Sequence, residues 1–328
     1  MTPRRSGTIE ILVTVAVSVL FFNLGLTALI ALVPLHILRR KRGEAYFLTG
    51  ALLVVAAVVV VRVVAGAAAQ FGSAFVLTDG LVAAGLVAGL WAVETPVLEG
   101  LSPPSRFAAA GVAVAAGIVP AAVIMASNDA FREVLDAQLA LVEQVLLFGT
   151  EEGGRLLQVD AVIQVAGDVL FSTIGAFGLL LVFVNYSLGN VVTRFSRVEG
   201  NVVVAGRSRR FSTFHVPVNA VWGLIIALAG VLLSIFAELG VLVYVFRNAA
   251  LILLLLYAGQ GIGIVAAFFD ARRVSAGARV GIVIGGVIGL LIPGVNIAIG
   301  LGLPGLGVAE TWVPFREKIK EKYNEGHP

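Results

Sequence analysis

Apolar residues form long blocks along the chain, and short polar connections separate them. The blocks cover residues 8–38, 45–69, 71–97, 107–125, 161–192, 216–236, 241–269 and 280–308. A helix needs about 20 predominantly apolar residues to cross the hydrocarbon core of a bilayer. The pattern therefore predicts an all-α protein in which about eight apolar blocks form a polytopic transmembrane helical bundle. We expect residues 1–328 to form a single integral membrane domain.

The first and last blocks are longer than one crossing requires. Each has about 30 residues, and a helix of that length measures about 45 Å, too long for one upright span and too short for two. Each also contains a helix-breaking sequence near its middle, Asn23-Leu24-Gly25 in the first and Pro293-Gly294 in the last. We therefore predict that both blocks are broken or re-entrant, with long tilted helices as the alternative.

Basic residues indicate which connections face the cytoplasm. The connection after the first block contains Arg39, Arg40, Lys41 and Arg42, and residues 193–215 contain five arginines and one acid. The positive-inside rule places both connections on the cytoplasmic side. Alternation of the blocks between them, with both terminal blocks broken, predicts cytoplasmic N and C termini. Residues 309–328 then form a cytoplasmic tail.

A long acidic connection at residues 127–160 is predicted to lie on the opposite side of the membrane. It contains seven acids against Arg132 and Arg155. From Asn128 to Gly149, apolar residues recur at helical spacing with acids between them, which is typical of an amphipathic helix. We expect this helix to lie on the outer leaflet or cap the bundle, and a lid that gates a substrate is the alternative.

Composition excludes several classes of protein and site. Hydrophobic residues make up 59% of the chain and charged residues only 13%, against about 25% charged in an average soluble domain. The absence of cysteine excludes disulfides, thiolate nucleophiles and iron–sulfur clusters. The three histidines, His36, His215 and His327, are far apart, and the first two adjoin basic clusters, where solvated imidazoles are ordinary. We therefore expect no metal and no cofactor.

Glycine patterns in the apolar blocks indicate helix packing. Gly300, Gly302 and Gly305 spell GxGxxG, but no predicted strand precedes them, so close packing or a flexible turn explains them better than a dinucleotide site. Small-residue stripes let helix backbones approach each other. Two such stripes, which we interpret as packing surfaces also open to a partner helix or a second copy, are Gly85 with Gly89, and Gly281 with Gly285 and Gly289.

Polar residues within the apolar blocks are the candidate ligand-binding or buried polar groups, because ionisable side chains at membrane depth are costly and usually face a partner or cavity. The charged candidates are Arg62, Asp79 and Asp168, and the neutral ones are Asn219, Asn248, Gln260 and Asn296. Glu94, Arg247 and Glu238 lie nearer the block ends, where snorkelling is the ordinary explanation. Arg62 and Asp79 fall at similar depth on adjacent antiparallel helices, so we predict a salt bridge between them.

Residues near the C-terminus carry a family resemblance. The pairs Arg247-Asn248 and Gln260-Gly261 and the ending Leu303 to Arg316 resemble the C-terminal half of the YybS family of bacterial membrane proteins, which has no established function. Pro314 stands where that family has an acidic residue, and Glu310 where Asp is more common. The matching motif positions are Asn248, Gln260, Gly261, Gly305, Gly307, Glu310, Trp312 and Arg316.

The YybS resemblance implies a protein of the bacterial cytoplasmic membrane and a glycine-containing turn that leads into the tail. We expect this turn to hold the Trp312 ring against the bundle. The YybS family is in turn similar, in helix pattern only, to the substrate-binding components of energy-coupling-factor transporters and to the rod-shape protein MreD. The small-residue signature by which those transporter components dock on their partner is not evident between Thr14 and Phe22.

Two functions fit these patterns. Interrupted helices and buried polar groups favour a small-molecule binding or transport-like subunit. Helix-to-helix contacts through the glycine stripes would instead make a structural or assembly component of the cell envelope. An enzyme is not expected, since the sequence offers no pairing of nucleophile and base. The expected partners are the lipid bilayer, a membrane protein or second copy, and a small molecule, but no nucleic acid.

Overall fold

The computed structural model describes residues 3–66, 72–130, 133, 134, 136–138, 141, 159–195 and 214–324. All regular elements among these residues are helices, so the all-α prediction is confirmed. The 3₁₀ helices are Gly25–Ile30 and Pro96–Leu98. The α-helices are α1 (Pro3–Asn23), α2 (Val33–Arg42), α3 (Glu44–Val64), α4 (Ser73–Glu94), α5 (Pro103–Ala126), α6 (Val159–Phe195), α7 (Ala220–Leu233), α8 (Leu242–Ala271), α9 (Ala276–Gly289), α10 (Val295–Ala309) and α11 (Phe315–Asn324).

Five helical segments in the described part of the chain are long and apolar enough to cross a membrane. They are Glu44–Val64, Ser73–Glu94, Pro103–Met125, Gln164–Thr193 and Leu242–Ala271. Each coincides with one predicted apolar block. The block at 216–236 contains only the 14 residues of α7, which begins three residues after Pro217. The lengths and composition of these helices agree with a helical membrane bundle.

Both terminal blocks are broken where the sequence predicted. The first divides into α1, the 3₁₀ helix Gly25–Ile30 and α2. The last divides into α9 and α10, and between them Gly294 has a φ of 86°, a left-handed conformation that glycine adopts without strain. The path of these segments through a bilayer stays a prediction. The predicted amphipathic helix falls on residues 127–160, most of which lie outside the described residues.

The chain packs as two compact units. One consists of Met1–Thr95 with Ala109–Val203, and the other of Pro96–Ala108 with Val204–Pro328. In the first unit, α2 packs on α1, α3 and α6, while α4 packs on α3 and α6. In the second unit, α8 packs on α7, α10 and α11. This division describes how the helices pack and does not test whether residues 1–328 form one integral membrane domain, which stays a prediction.

The two glycine stripes have different surroundings. A Cβ on Gly85 would lie 3.0 Å from the Cα of Gly117, so α4 and α5 approach through backbone contact. This confirms the packing interpretation of the first stripe. In the second stripe, Gly289 faces side chains of α10, but nothing lies within 4 Å of a Cβ on Gly281 or Gly285. No described residue packs against these two glycines, so for them the packing interpretation is wrong as far as the described part of the chain goes, and packing against a second copy or a partner helix stays a prediction.

Candidate functional site

The interruption of the first block is held in place by Asn185 on α6. The Asn185 side chain is buried, accepts a hydrogen bond from the Leu32 N–H (2.9 Å) and donates one to the Leu29 carbonyl (2.7 Å). At the end of α1, the Thr27 hydroxyl donates to the Phe21 carbonyl at 2.9 Å. Backbone groups freed by a helix break inside a membrane must find partners within the protein. These side chains supply the partners, so α2 can begin afresh after the break.

The new helix α2 carries three side chains that meet one acid. Pro34 lies in its first turn, where a missing N–H is tolerated, and His36, Arg39 and Arg40 follow at the i, i+3 and i+4 spacing of one helix face. They surround Glu94, the last residue of α4. We call His36, Arg39, Arg40 and Glu94 the Glu94 cluster.

The Glu94 carboxylate is the centre of this cluster. Its side chain is only 6% exposed and lies 3.1 Å from His36 Nδ1, 3.2 Å from Arg40 Nη2 and 3.5 Å from Arg39 Nε. The Nη2 of Arg39 also donates a hydrogen bond to the Glu94 carbonyl at 2.9 Å. That carbonyl is among the last of α4, whose C-terminus carries partial negative charge. Arg39 therefore caps the helix as well as pairing with the acid.

Arg39 is held from a second side by α3. Its guanidinium lies 3.5 Å from the Glu44 carboxylate and stacks 5.0 Å from the centre of the buried Phe47 ring. Trp91 donates a hydrogen bond to Glu44 at 3.0 Å. Burial lowers the pKa of Arg39, and the charges of Glu94 and Glu44 oppose that effect. The two guanidinium charges of Arg39 and Arg40 balance the two carboxylate charges of Glu94 and Glu44.

The predicted salt bridge between Arg62 and Asp79 is present. Arg62 Nε donates to Asp79 Oδ2, and the guanidinium lies 5.7 Å from the centre of the Phe75 ring. Arg62 is in the last turn of α3, and Asp79 is near the beginning of α4. The side chains are 29% and 18% exposed, so the pair is only partly shielded from its surroundings.

We expect Arg62→Leu and Asp79→Leu each to lower the free energy of unfolding by about 1–3 kcal/mol, because each strands a partly buried polar group. The double variant should recover much of the loss, since it leaves no stranded charge. Unfolding of the four proteins in detergent micelles measures the coupling. Losses that simply add would show that the two side chains do not interact.

The other polar candidates have varied environments. Asp168 is partly buried on α6, and Asn248 donates to the Tyr244 carbonyl one turn earlier in α8 at 2.9 Å. Asn219 and Asn296 are exposed, so they are not buried within the described part of the chain, and a role in ligand binding stays a prediction for them. Asn296 instead accepts hydrogen bonds from the backbone N–H groups of Gly294 and Ile297, at the start of α10. Asn219 immediately precedes α7. The contacts of Asn296 are therefore local, whereas the Asn219 side chain makes no capping hydrogen bond to α7.

Gln260 is the neutral candidate that joins separate segments. Its buried side chain accepts a hydrogen bond from the Val216 N–H at 2.6 Å and donates one to the Gly307 carbonyl at 3.0 Å. A Cβ on Gly307 would overlap the Tyr257 carbonyl, and one on Gly261 would overlap the Leu303 carbonyl. These glycines therefore let α8 and α10 approach closely enough for Gln260 to reach across.

Glu310 and Arg316 complete this arrangement in the second unit. Arg316 Nη2 lies 3.2 Å from the buried Glu310 carboxylate and donates to the Phe214 and Gln260 carbonyls. Burial lowers the pKa of Arg316, and the charge of Glu310 opposes that effect. His215 Nδ1 lies 3.9 Å from the same carboxylate. We call Gln260, Glu310 and Arg316 the C-terminal cluster, and it fastens the beginning of α11 to α8.

Two expectations about the C-terminal motif are wrong. Gly305 and Gly307 lie within α10 rather than in a turn, because the turn follows at residues 310–312. Trp312 in that turn is 66% exposed, so its ring is not held against the bundle. Nothing lies within 4 Å of a Cβ on Gly300, Gly302 or Gly305, so close packing does not explain the GxGxxG pattern.

The Glu94 cluster is where the sequence interpretation missed a site. The sequence predicts a solvated imidazole at His36 and a snorkelling side chain at Glu94, but His36 has no exposed surface, and Glu94 is buried beside two guanidinium groups and the His36 imidazole. The sequence does carry a signal. His36, Arg39 and Arg40 share a helix face behind a proline start, and Glu94 is the acid that ends an apolar block.

Comparison with known proteins gives one family. A family model described as "Predicted membrane protein (DUF2232)" matches residues 8–303, nearly the whole chain. No curated protein and no solved structure matches the chain.

Proposed function

The chain belongs to the DUF2232 family of predicted membrane proteins, and from that premise we propose that it is a small-molecule binding or transport-like subunit. The observation that supports this proposal is the Glu94 cluster, a buried set of ionisable groups beside an interrupted helix. In many transporters, interrupted helices place polar groups and free backbone next to a ligand site. A non-enzymatic role is part of the proposal.

Unpaired polar atoms in the Glu94 cluster favour a ligand-binding site over a purely structural set of ion pairs. Arg39 Nη1, Arg40 Nε and His36 Nε2 are buried and have no hydrogen-bond partner among the described residues. Buried polar groups in native proteins are nearly always paired with protein or with ordered water, and exceptions point to function or to an unseen partner. In a purely structural ion pair, hydrogen bonds from these nitrogens to neighbouring side chains would increase the stability of the fold, so we would expect them to be present.

The proposed setting is the bacterial cytoplasmic membrane, with both termini in the cytoplasm. The distribution of arginine and lysine supports this orientation, and it places the Glu94 cluster near the cytoplasmic end of α4. We also propose that the chain is related to the YybS family, as its C-terminal motif suggests. The helix-pattern similarity to energy-coupling-factor components favours binding of a small molecule, but only as a fold-level analogy.

A structural or assembly role in the cell envelope is the second candidate. It is favoured by the open glycines of α9, because nothing lies within 4 Å of a Cβ on Gly281 or Gly285. Ile288, which follows Gly285 by three residues and Gly281 by seven and therefore shares their helix face, is 54% exposed. This face is open to a partner helix or a second copy of the chain.

Native mass spectrometry of the purified full-length protein tests the first candidate against the second. We expect a non-lipid small molecule to leave the wild-type protein on collisional activation and to be reduced several-fold in Glu94→Gln. Glu99→Gln is the matched control, since Glu99 is exposed five residues further along the chain. A protein or second copy that is retained by wild type and lost in Gly281→Leu, without any small molecule, would favour the assembly role and contradict the binding proposal.

A further inference from the structure

The last helix, α11, is fastened to the C-terminal part of α8 at both of its ends. At its beginning, Arg316 donates a hydrogen bond to the Gln260 carbonyl at 3.1 Å. At its end, the Tyr323 hydroxyl accepts a hydrogen bond from Arg272 Nε at 2.7 Å. The Arg272 guanidinium also lies 4.8 Å from the centre of the Phe268 ring. Because both ends are held, the side chains of α11 occupy defined positions on the surface of the second unit.

These contacts place α11 at the edge of the membrane. Helix α8 has 30 residues and is apolar enough to cross a bilayer. A helix of that length measures about 45 Å, whereas the hydrocarbon core is about 30 Å thick, so α8 extends beyond the core. Charged side chains are costly in hydrocarbon. The end of α8 that carries α11 is therefore an end that extends into the headgroup region.

The exposed charged side chains round this end are mostly basic. The exposed acids of α11 are Glu317 and Glu321. Arg316 is not counted, because it pairs with Glu310. The exposed basic side chains of α11 and of the turn between α8 and α9 are Lys318, Lys320, Lys322, Arg272 and Arg273. Positive charge therefore exceeds negative charge where α11 meets the headgroups.

The helical repeat separates the lysines of α11 from its acids. Ile319 is in the partly buried stripe that faces the rest of the second unit. At about 100° per residue, Lys318 and Lys322 both lie within about 100° of Ile319, on the same side of it, whereas Glu317 and Glu321 lie about 160° away. A lipid headgroup that lies against the protein beside α11 therefore meets two ammonium groups before it meets a carboxylate.

Trp312 adds an apolar group to this surface. Its ring is 66% exposed in the turn that precedes α11. Tryptophan is enriched at membrane interfaces, where its ring contacts apolar chains and its N–H reaches polar groups. The turn is at the Gln260 end of α11, and the lysines follow towards the end of α8. From the membrane outwards, the order is therefore aromatic and then basic.

We propose that Trp312, Lys318 and Lys322 bind an anionic phospholipid of the cytoplasmic leaflet. The two ammonium groups contact the phosphate and the rest of the anionic headgroup, and the Trp312 ring lies against the upper part of the acyl chains. Clusters of basic side chains next to a membrane span attract anionic lipids. A zwitterionic lipid is bound less well, because its own cation neutralises its phosphate. This lipid site goes beyond the proposed function and does not depend on the Glu94 cluster.

Quenching of Trp312 fluorescence by brominated lipids tests this site in the full-length protein. The chain has three tryptophans, so Trp312 is the sole one in the double variant Trp91→Phe with Trp222→Phe. If that variant is unstable, the emission of wild type minus that of Trp312→Phe isolates the same ring. The protein is placed in nanodiscs of equal parts phosphatidylcholine and phosphatidylglycerol, with bromine on the chains of one lipid or the other. We expect brominated phosphatidylglycerol to quench about two-fold more or better.

Two matched variants in the same background identify the side chains that bind the lipid. Lys318→Gln with Lys322→Gln should make quenching by the two lipids equal. Glu317→Gln with Glu321→Gln, at the same spacing on the same helix, should keep or increase the preference. Raising the salt concentration to about 1 M should reduce it in the parent protein, because the Debye length falls to about 3 Å. Equal quenching by the two lipids in the parent, or a preference that survives loss of both lysines, would overturn the proposal.

Discussion

Replacing Gly307 by alanine is expected to lower the free energy of unfolding by about 1–3 kcal/mol, the usual effect of forcing extra volume into a packed interface. Helices α8 and α10 approach each other through backbone at this position. A Cβ on Gly307 would overlap the Tyr257 carbonyl, and only 3.2 Å would separate it from the Gly261 nitrogen. Backbone atoms in two packed helices cannot rotate away as a flexible side chain can, so the helices must separate.

The same helix provides the control for this prediction. Nothing lies within 4 Å of a Cβ on Gly305, two residues earlier. Gly305→Ala should therefore leave the free energy of unfolding unchanged or raise it by up to about 1 kcal/mol, because alanine is the better helix former. Thermal unfolding in detergent micelles compares the two variants. Equal effects of the two substitutions would contradict the close approach of α8 and α10.

Separation of α8 and α10 should also weaken the C-terminal cluster. Gln260 reaches the Gly307 carbonyl at 3.0 Å only because the two helices are close. The Gln260 carbonyl in turn accepts a hydrogen bond from Arg316 at 3.1 Å. In Gly307→Ala we therefore expect α11 to become more accessible to protease, whereas in Gly305→Ala it should stay protected.

The features predicted correctly from the sequence depend on local patterns. Blocks of apolar residues identify the long helices, because the bilayer requires about 20 such residues per crossing. The breaks at Asn23-Leu24-Gly25 and at Pro293-Gly294 follow from residues that disfavour helix. The Arg62–Asp79 pair could be predicted because α3 and α4 are joined by a short connection. Counting residues from the helix ends therefore shows that the two side chains lie at similar depth in the bilayer.

The features that were missed depend on contacts between distant segments. Glu94 and His36 are 58 positions apart in the sequence, and Asn185 lies about 150 residues from the backbone groups that it pairs at the first break. Helical spacing places His36, Arg39 and Arg40 on one face but does not show which helix that face meets. The prediction that the Trp312 ring packs against the bundle was wrong for a related reason. The local sequence, an aromatic residue after a glycine-rich segment, is compatible with both a packed and an exposed ring.

Removing the charge of Glu94 is expected to have the largest effect of any single substitution in the first unit. Glu94→Leu removes the acid that Arg39 and Arg40 share and leaves Arg39, which is 8% exposed, with only the more exposed Glu44. Breaking a buried ion pair by removal of one partner typically costs about 3–5 kcal/mol, because the remaining charge is stranded. Glu94→Gln keeps the shape of the side chain, and it should retain only part of the stability because it cannot balance two guanidinium groups.

The central claim is that the break in the first block builds a buried, charge-balanced site round Glu94. The unfolding free energy of Glu94→Leu relative to Glu99→Leu tests it most directly, because both substitutions remove one acid and only Glu94 is buried. The account predicts a loss of about 3–5 kcal/mol for Glu94→Leu and a change within about 0.5 kcal/mol for Glu99→Leu. Equal, small effects of the two substitutions would contradict the existence of the site.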